Sequence, residues 1–152
     1  AGDLCRMFQI APVFNETSAL VTRLALCEVR LALDIRWPWL ILIPMREGMV
    51  ELEDLGPADR HLVMDEILRA GPAARAVGEV LDFPVEKLNV AAIGNRQRQL
   101  HIHVAGRREG DPNWPDPIWG FGTAAPPAPG QRERMIAAAM DAFEATPPGT
   151  RR

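Results

Sequence analysis

Cysteine is scarce in this 152-residue chain, which carries only Cys5 and Cys27. Far apart and forming no CxxC pair, they read as reduced thiols rather than as a disulfide framework. Long apolar runs are missing too. None reaches the roughly 18 residues that a membrane span needs, and the N-terminus has no signal-peptide pattern, so a cytoplasmic protein with no membrane partner is expected. Basic blocks are also absent. A net charge of -3 without clustered Lys and Arg argues against nucleic acid as the partner. The one basic group, Arg96, Arg98, Arg107 and Arg108, suits either the attraction of a small anion or solvated arginines at strand ends.

What the chain does have is a hydrophobic fraction of 47%, enough for a single domain over residues 1–152 with a packed core. Residues 1–18 are irregular in pattern, with room for one short helical turn near Pro12. From Leu26, alternation of Cys27, Val29, Leu31 and Leu33 with Glu28, Arg30, Ala32 and Asp34 predicts a half-buried strand, and residues 21–24 allow a short strand before it. The apolar run from Trp39, ended by Pro44, predicts a strand covered on both faces and paired with the first as an antiparallel hairpin.

Pro57 suits a first helical turn, and the stripe Val63, Ile67, Ala70, Ala74, Val77 and Leu81 keeps its phase through Gly71-Pro72. One helix, bent near residues 68–72, is therefore expected rather than two. Residues 87–93 read as a strand, 94–98 as a tight turn, and 99–106 as a strand paired back. Residues 110–130 are rich in proline and contain Trp114, Trp119 and Phe121, which predicts an ordered loop pinned by aromatic anchors over the sheet. Gln131–Ala145 predicts a C-terminal helix with Ile136, Ala139, Met140 and Phe143 inward. The expected fold class is α+β: an antiparallel sheet with one long kinked helix, one C-terminal helix and a core at about residues 26–108.

Two of the three histidines fall in the run QLHIHVA, where Gln99, His101 and His103 alternate with Leu100, Ile102 and Val104. A strand of period two places the three polar side chains on one face, neighbours roughly 7 Å apart, a spacing that can straddle a phosphate. Phosphoryl transfer needs a nucleophile, donors for the non-bridging oxygens and a proton for the departing group. Imidazole attacks well near neutral pH and can form a covalent intermediate. His101, central in the trio, is the natural attacker. Gln99 and His103 flank it as donors, and Asn89 and Asn95 on the neighbouring strand and turn can add neutral ones.

The order of these features resembles the histidine triad (HIT) family, whose signature is three histidines alternating with hydrophobic residues. Here it reads Gln99-Leu100-His101-Ile102-His103-Val104-Ala105, preceded by a strand ending at Asp34-Ile35, an apolar strand, a long helix and LNVAAIGN, and followed by DPNWPDPIWG. Over residues 26–108 the chain looks like a bacterial, HIT-like hydrolase branch that has glutamine at the first position.

The resemblance implies an α+β homodimer that cleaves or transfers nucleoside monophosphates, acting on purine nucleotides such as dinucleoside polyphosphates or phosphoramidates. It implies His101 as the nucleophile, His103 as a phosphate and leaving-group contact, Asn89 and Asn95 near the phosphate, Asp34 at the ribose and Ile35 at the base. It also implies that Trp39 stands where many members have another histidine, partner of the first. Glutamine cannot shuttle protons, so Gln99 is left to orient the nucleophile or to donate to phosphate. Imidazole attack requires no metal, and no obligatory cofactor is expected. Two alternatives stay open: a dimeric nucleotide sensor with little catalysis, and an H-x-H metal enzyme completed by a carboxylate such as Asp34. His61 is expected to be an exposed helix residue.

Overall fold

The computed structural model describes residues 8–149, so Cys5 lies outside the described residues. The elements run α1 (Pro12–Thr17), β1 (Ser18–Arg23), β2 (Cys27–Ala32), β3 (Trp39–Pro44), a 3-10 turn (Leu52–Asp54), α2 (Pro57–Val80), β4 (Lys87–Ala91), β5 (Ile102–Arg107) and α3 (Gln131–Ala145). The strands form one antiparallel sheet in the order β1-β2-β3-β5-β4. This is the α+β architecture anticipated from the sequence, including the hairpin of β2 and β3.

The pleat sorts the strands by face. Val29 and Leu31 of β2, Leu40 and Leu42 of β3, and Ile102 and Val104 of β5 pack under α2 and α3 with Val63, Ala70, Ala74, Val77, Met135 and Phe143. The helical stripe therefore does run unbroken through Pro72, inside one 24-residue helix. Pro72 offers no N–H to Leu68, an exposed residue whose carbonyl solvent can reach. In α3 the inward stripe is Met135, Ala139 and Phe143, four residues apart, while Met140 is turned partly to water. The expected stripe was thus rotated by about one residue.

The opposite face differs from expectation. All six residues of β2 are buried, not every second one. Glu28 and Arg30 survive burial by pairing at 2.9 Å, with Arg23 on Glu28 and Ser18 on Arg30 completing the set. Their cover is the N-terminal segment, where the pattern left room for one short helical turn near Pro12. Residues 12–17 form α1, and Phe14 packs with Ala32, Ile41 and Ile43, joined by the partly buried Phe8, Ile10 and Ala11. No periodicity marks six residues of helix, and the signal was hidden in single apolar residues.

Further along, β2 stops at Ala32, short of Asp34-Ile35: Leu33 still donates to Thr17 opposite it, but Ile35 donates to Ala125 instead of extending the ladder. The 110–130 loop is ordered by a buried ion pair and an aliphatic residue more than by its aromatics. Ile118 is fully buried with Trp37, Phe83 and Ala105, whereas Trp114 and Phe121 are exposed by more than a third. Arg107, expected among the anion-attracting arginines, is enclosed and makes two hydrogen bonds to Asp111, at 2.7 and 3.0 Å, plus one to the Asp116 carbonyl. Its charge is spent inside the protein.

The turn between β1 and β2 depends on the long helix. Glu66, only 1% exposed, accepts from the backbone N–H groups of Leu26 and Cys27 at 3.0 and 2.7 Å. Burial, with Glu66 alongside, pushes the Cys27 thiol far above its ordinary range, so it is inert. Glu66→Ala leaves two buried donors unpaired and should lower stability by about 3 kcal/mol, read as a reduced midpoint in urea unfolding.

Candidate active site

Only one of the two histidines sits where a simple hairpin would put it. The paired strands end at Ala91 and resume at Ile102, so residues 92–101 form a wider excursion than the expected turn over 94–98. The backbone before β5 is engaged elsewhere: Leu100 donates to Met49 and Gln99 to the side chain of Gln97. His101 therefore precedes the strand, and His103 lies within it. Gly94 permits the excursion, because a Cβ there would stand 2.9 Å from the Gln97 carbonyl oxygen and 3.8 Å from the His101 ring.

Both rings are 6% exposed, their centroids 4.9 Å apart and their planes nearly perpendicular at 78°. Hydrogen bonds fix their protons. Nδ1 of His101 lies 2.7 Å from the Gln99 carbonyl oxygen, an acceptor only, so Nδ1 carries the proton and Nε2 keeps its lone pair. For His103 the order is reversed. The Trp39 indole, a donor only, reaches Nδ1 at 3.0 Å, which puts the His103 proton on Nε2. Trp39 thus partners the second histidine, across the β3–β5 ladder, and not the first position of the motif. The edge of the Trp119 ring, 5.4 Å away, closes another side of His103.

A cleft of about 300 Å³ opens beside His101, lined by Val50, Glu51, Ala92, Gly94, Asn95, Arg98, Gln99 and Leu100. Of the residues singled out in the sequence, it brings together Gln99, His101 and Asn95. His103 stands behind His101, outside this lining. Asn89 lies on the same sheet face, but its side-chain oxygen accepts from Arg107 at 2.9 Å. Asp34 is buried and its carboxylate is occupied by Arg36 at 2.8 to 3.2 Å, with the Ala125 N–H also on it. Ile35 packs toward the helix-side core. Among the described residues no three His, Cys, Asp or Glu side chains converge as a metal would require, and His61 is exposed on α2.

Three contributors gave no sequence signal. Phe14 presents its ring edge-on to His101, centroids 4.9 Å apart. Val50 and Glu51, from the stretch before α2, line the cleft. Gln99 itself engages its amide with the N-terminal segment, accepting from the Ala11 N–H at 2.7 Å and donating to the Gln9 carbonyl at 2.9 Å.

Burial dominates the protonation of both rings. It lowers the His101 pKa against a smaller opposing effect of the Gln99 carbonyl. It brings His103 down to about 4, helped by the neighbouring His101 and opposed by a backbone hydrogen bond at Ile93. Both are neutral at pH 7. An unfolded histidine titrates near 6.5, so the unfolded chain binds the proton first as pH falls. Stability should be full above about pH 6.5 and decline toward pH 4, with His103 contributing up to about 3 kcal/mol of the loss. Urea unfolding at stepwise pH checks this, and a His103→Gln variant should show a shallower slope over that window.

Comparisons with known proteins identify the family and the fold. The HIT domain profile matches residues 13–110. A histidine triad protein of Sinorhizobium meliloti is 38% identical, with a TM-score of 0.83 over 90% of this chain and 97% of its own. Histidine triad proteins of Bradyrhizobium japonicum and Marinobacter aquaeolei are 32% and 30% identical, with TM-scores of 0.80 and 0.79. They cover 90% and 93% of this chain and 98% and 99% of theirs. No curated protein matches. With two thirds of its length matched by the profile and nearly all of it superimposed on relatives at this identity, the chain belongs to the HIT domain family, whose members include nucleotide hydrolases and transferases.

Proposed function

We propose that the chain is a nucleotidyl hydrolase or transferase, of the branch with glutamine at the first motif position, that cleaves a phosphoanhydride or phosphoramidate of a purine nucleoside monophosphate. The observation that carries this reading is the tautomer of His101: Nδ1–H is tied to the Gln99 carbonyl, and Nε2 is left as a lone pair on a ring that lines an accessible cleft. Nε2 attacks phosphorus, and the N–P bond forms as the bond to the leaving group breaks; the leaving group departs with that bond's electron pair and takes its proton from solvent. The positive charge then carried by the ring is stabilised by the same carbonyl dipole. Water next attacks phosphorus, the N–P electron pair returns to Nε2, and the water proton passes to solvent.

Asn95 and Arg98, both exposed at the cleft, are placed to donate to the non-bridging oxygens. His103, neutral and hydrogen-bonded through Nδ1, supports the nucleophile's ring. Asp34 and Ile35 were expected at the ribose and base. With the Asp34 carboxylate held by Arg36, their role in this reading is to fasten the 110–130 loop, which Arg36 also grips through the Phe121 carbonyl at 2.7 Å. The reading includes a homodimer working in the cytoplasm.

His101→Asn should lower turnover of a diadenosine polyphosphate by about a thousandfold or more, and Gln99 variants by far less. Mass spectrometry of protein quenched during turnover should find a nucleotide adduct on the peptide containing residues 99–107. Full activity in the His101 variant would end this reading. Tight AMP binding by the unaltered chain, with no turnover of any adenylyl compound, would replace it with a nucleotide sensor.

A further inference from the structure

We infer that residues 8–14 form a working wall of the nucleophile's site and that Gln99 is the positioning residue that clamps this wall in place. The inference rests on the reading of His101 as the nucleophile. Gln99 brings three polar groups, the oxygen and the nitrogen of its side-chain amide and its backbone carbonyl, and all three act on the same problem. The carbonyl holds Nδ1 of His101 at 2.7 Å. The side-chain oxygen accepts from Ala11 at 2.7 Å, and the side-chain nitrogen donates to the Gln9 carbonyl at 2.9 Å. This donor and acceptor pair matches the backbone groups of an extended segment; an ionised carboxylate at position 99 has no donor, and the donor and acceptor nitrogens of an imidazole diverge across the ring instead of lying side by side.

The clamped segment runs directly into α1, whose Phe14 stands edge-on against the His101 ring and is itself anchored among Ala32, Ile41 and Ile43. His101 is therefore held from two sides by one residue: by the Gln99 backbone at Nδ1, and by its side chain through the wall. Releasing the segment lets water reach the ring and loosens its orientation. The charged or titratable groups around His101 are His103 of β5, and Glu51 and Arg98 across the cleft; α1 brings only the uncharged Phe14. Hydration of the ring is thus the change that moves its titration.

Ala11→Pro isolates the clamp. Ala11 has φ -60° and ψ 141°, backbone angles that proline adopts, so the substitution replaces the N–H by a ring carbon that displaces the Gln99 side-chain oxygen while the Gln99 backbone carbonyl stays in the chain. In NMR titrations without substrate, the His101 ring of this variant should titrate higher than in the parent chain, toward 6.5. In turnover assays kcat should fall about tenfold with KM little changed. Gln99→Leu, which fills the same volume without polar atoms, should do the same, and the double variant should be no worse than Gln99→Leu alone.

An unchanged His101 titration in both variants, or fully additive losses in the double variant, overturns the wall. Should Ala11→Pro fail to fold, the Gln99→Leu titration decides alone. Absence of turnover in the parent chain would count against the hydrolase reading only, because the NMR shift needs no substrate.

Discussion

One hydrogen bond, 2.7 Å from the Gln99 carbonyl to Nδ1 of His101, decides which nitrogen of the ring is available for chemistry. A neutral imidazole has one lone pair, and the bond spends the proton on the protein side so that the lone pair is left for the cleft. Everything around it keeps that choice fixed. The strand ladder stops at Ile102, which frees the Gln99 carbonyl from pairing with β4. Gly94 gives the excursion room, Phe14 restrains the ring, and His103 is locked in the opposite tautomer by Trp39. Two adjacent imidazoles with complementary proton positions avoid a competition that two identical tautomers would create.

The sheet divides its energetics between its faces. Under α2 and α3 it is apolar, and stability there comes from area removed from water. On the other face lie His101, His103, Glu28, Arg30, Asp111 and Arg107, all buried and all paired. Burial raises the Asp111 carboxyl, but the Arg107 hydrogen bonds, with those of the Arg108 and Asn113 backbone N–H groups, outweigh it and bring it to about 2. A buried ion pair of this kind adds little net stability relative to an apolar one, yet removing one partner strands the other. What it does supply is placement. Arg107 joins β5, Asn89 of β4 and the loop at Asp111 and Asp116, so one side chain ties the end of the histidine strand to the proline-rich cover.

Periodicity made the helix-side half of the fold legible: the stripe along α2, the β2–β3 hairpin and the run of β5 were readable because apolar residues repeat at the period of their element. His101 and His103 were legible as well, since they stand out chemically against Ile102 and Val104. The polar face was not. Burial of Glu28 and Arg30 depends on a six-residue helix and on lone apolar side chains at 8, 10 and 14, which have no period to detect. The partners of Asp34, Asn89 and Gln99 depend on Arg36, Arg107 and the 9–11 backbone, and nothing in one-dimensional spacing distinguishes a carboxylate or amide offered to a ligand from one already engaged by the protein. Trp39 was noticed at the right position, but only the β3–β5 register assigns it to His103.

The attachment of Glu66 to the bend between β1 and β2 has a consequence for how the chain is made. The hairpin is synthesised first, yet two of its enclosed amides have no acceptor until a helix some 40 positions downstream has formed and docked. On the ribosome, the leading strands remain an unfinished surface through that interval. The order of emergence of the polypeptide therefore runs opposite to the order in which its first turn becomes complete.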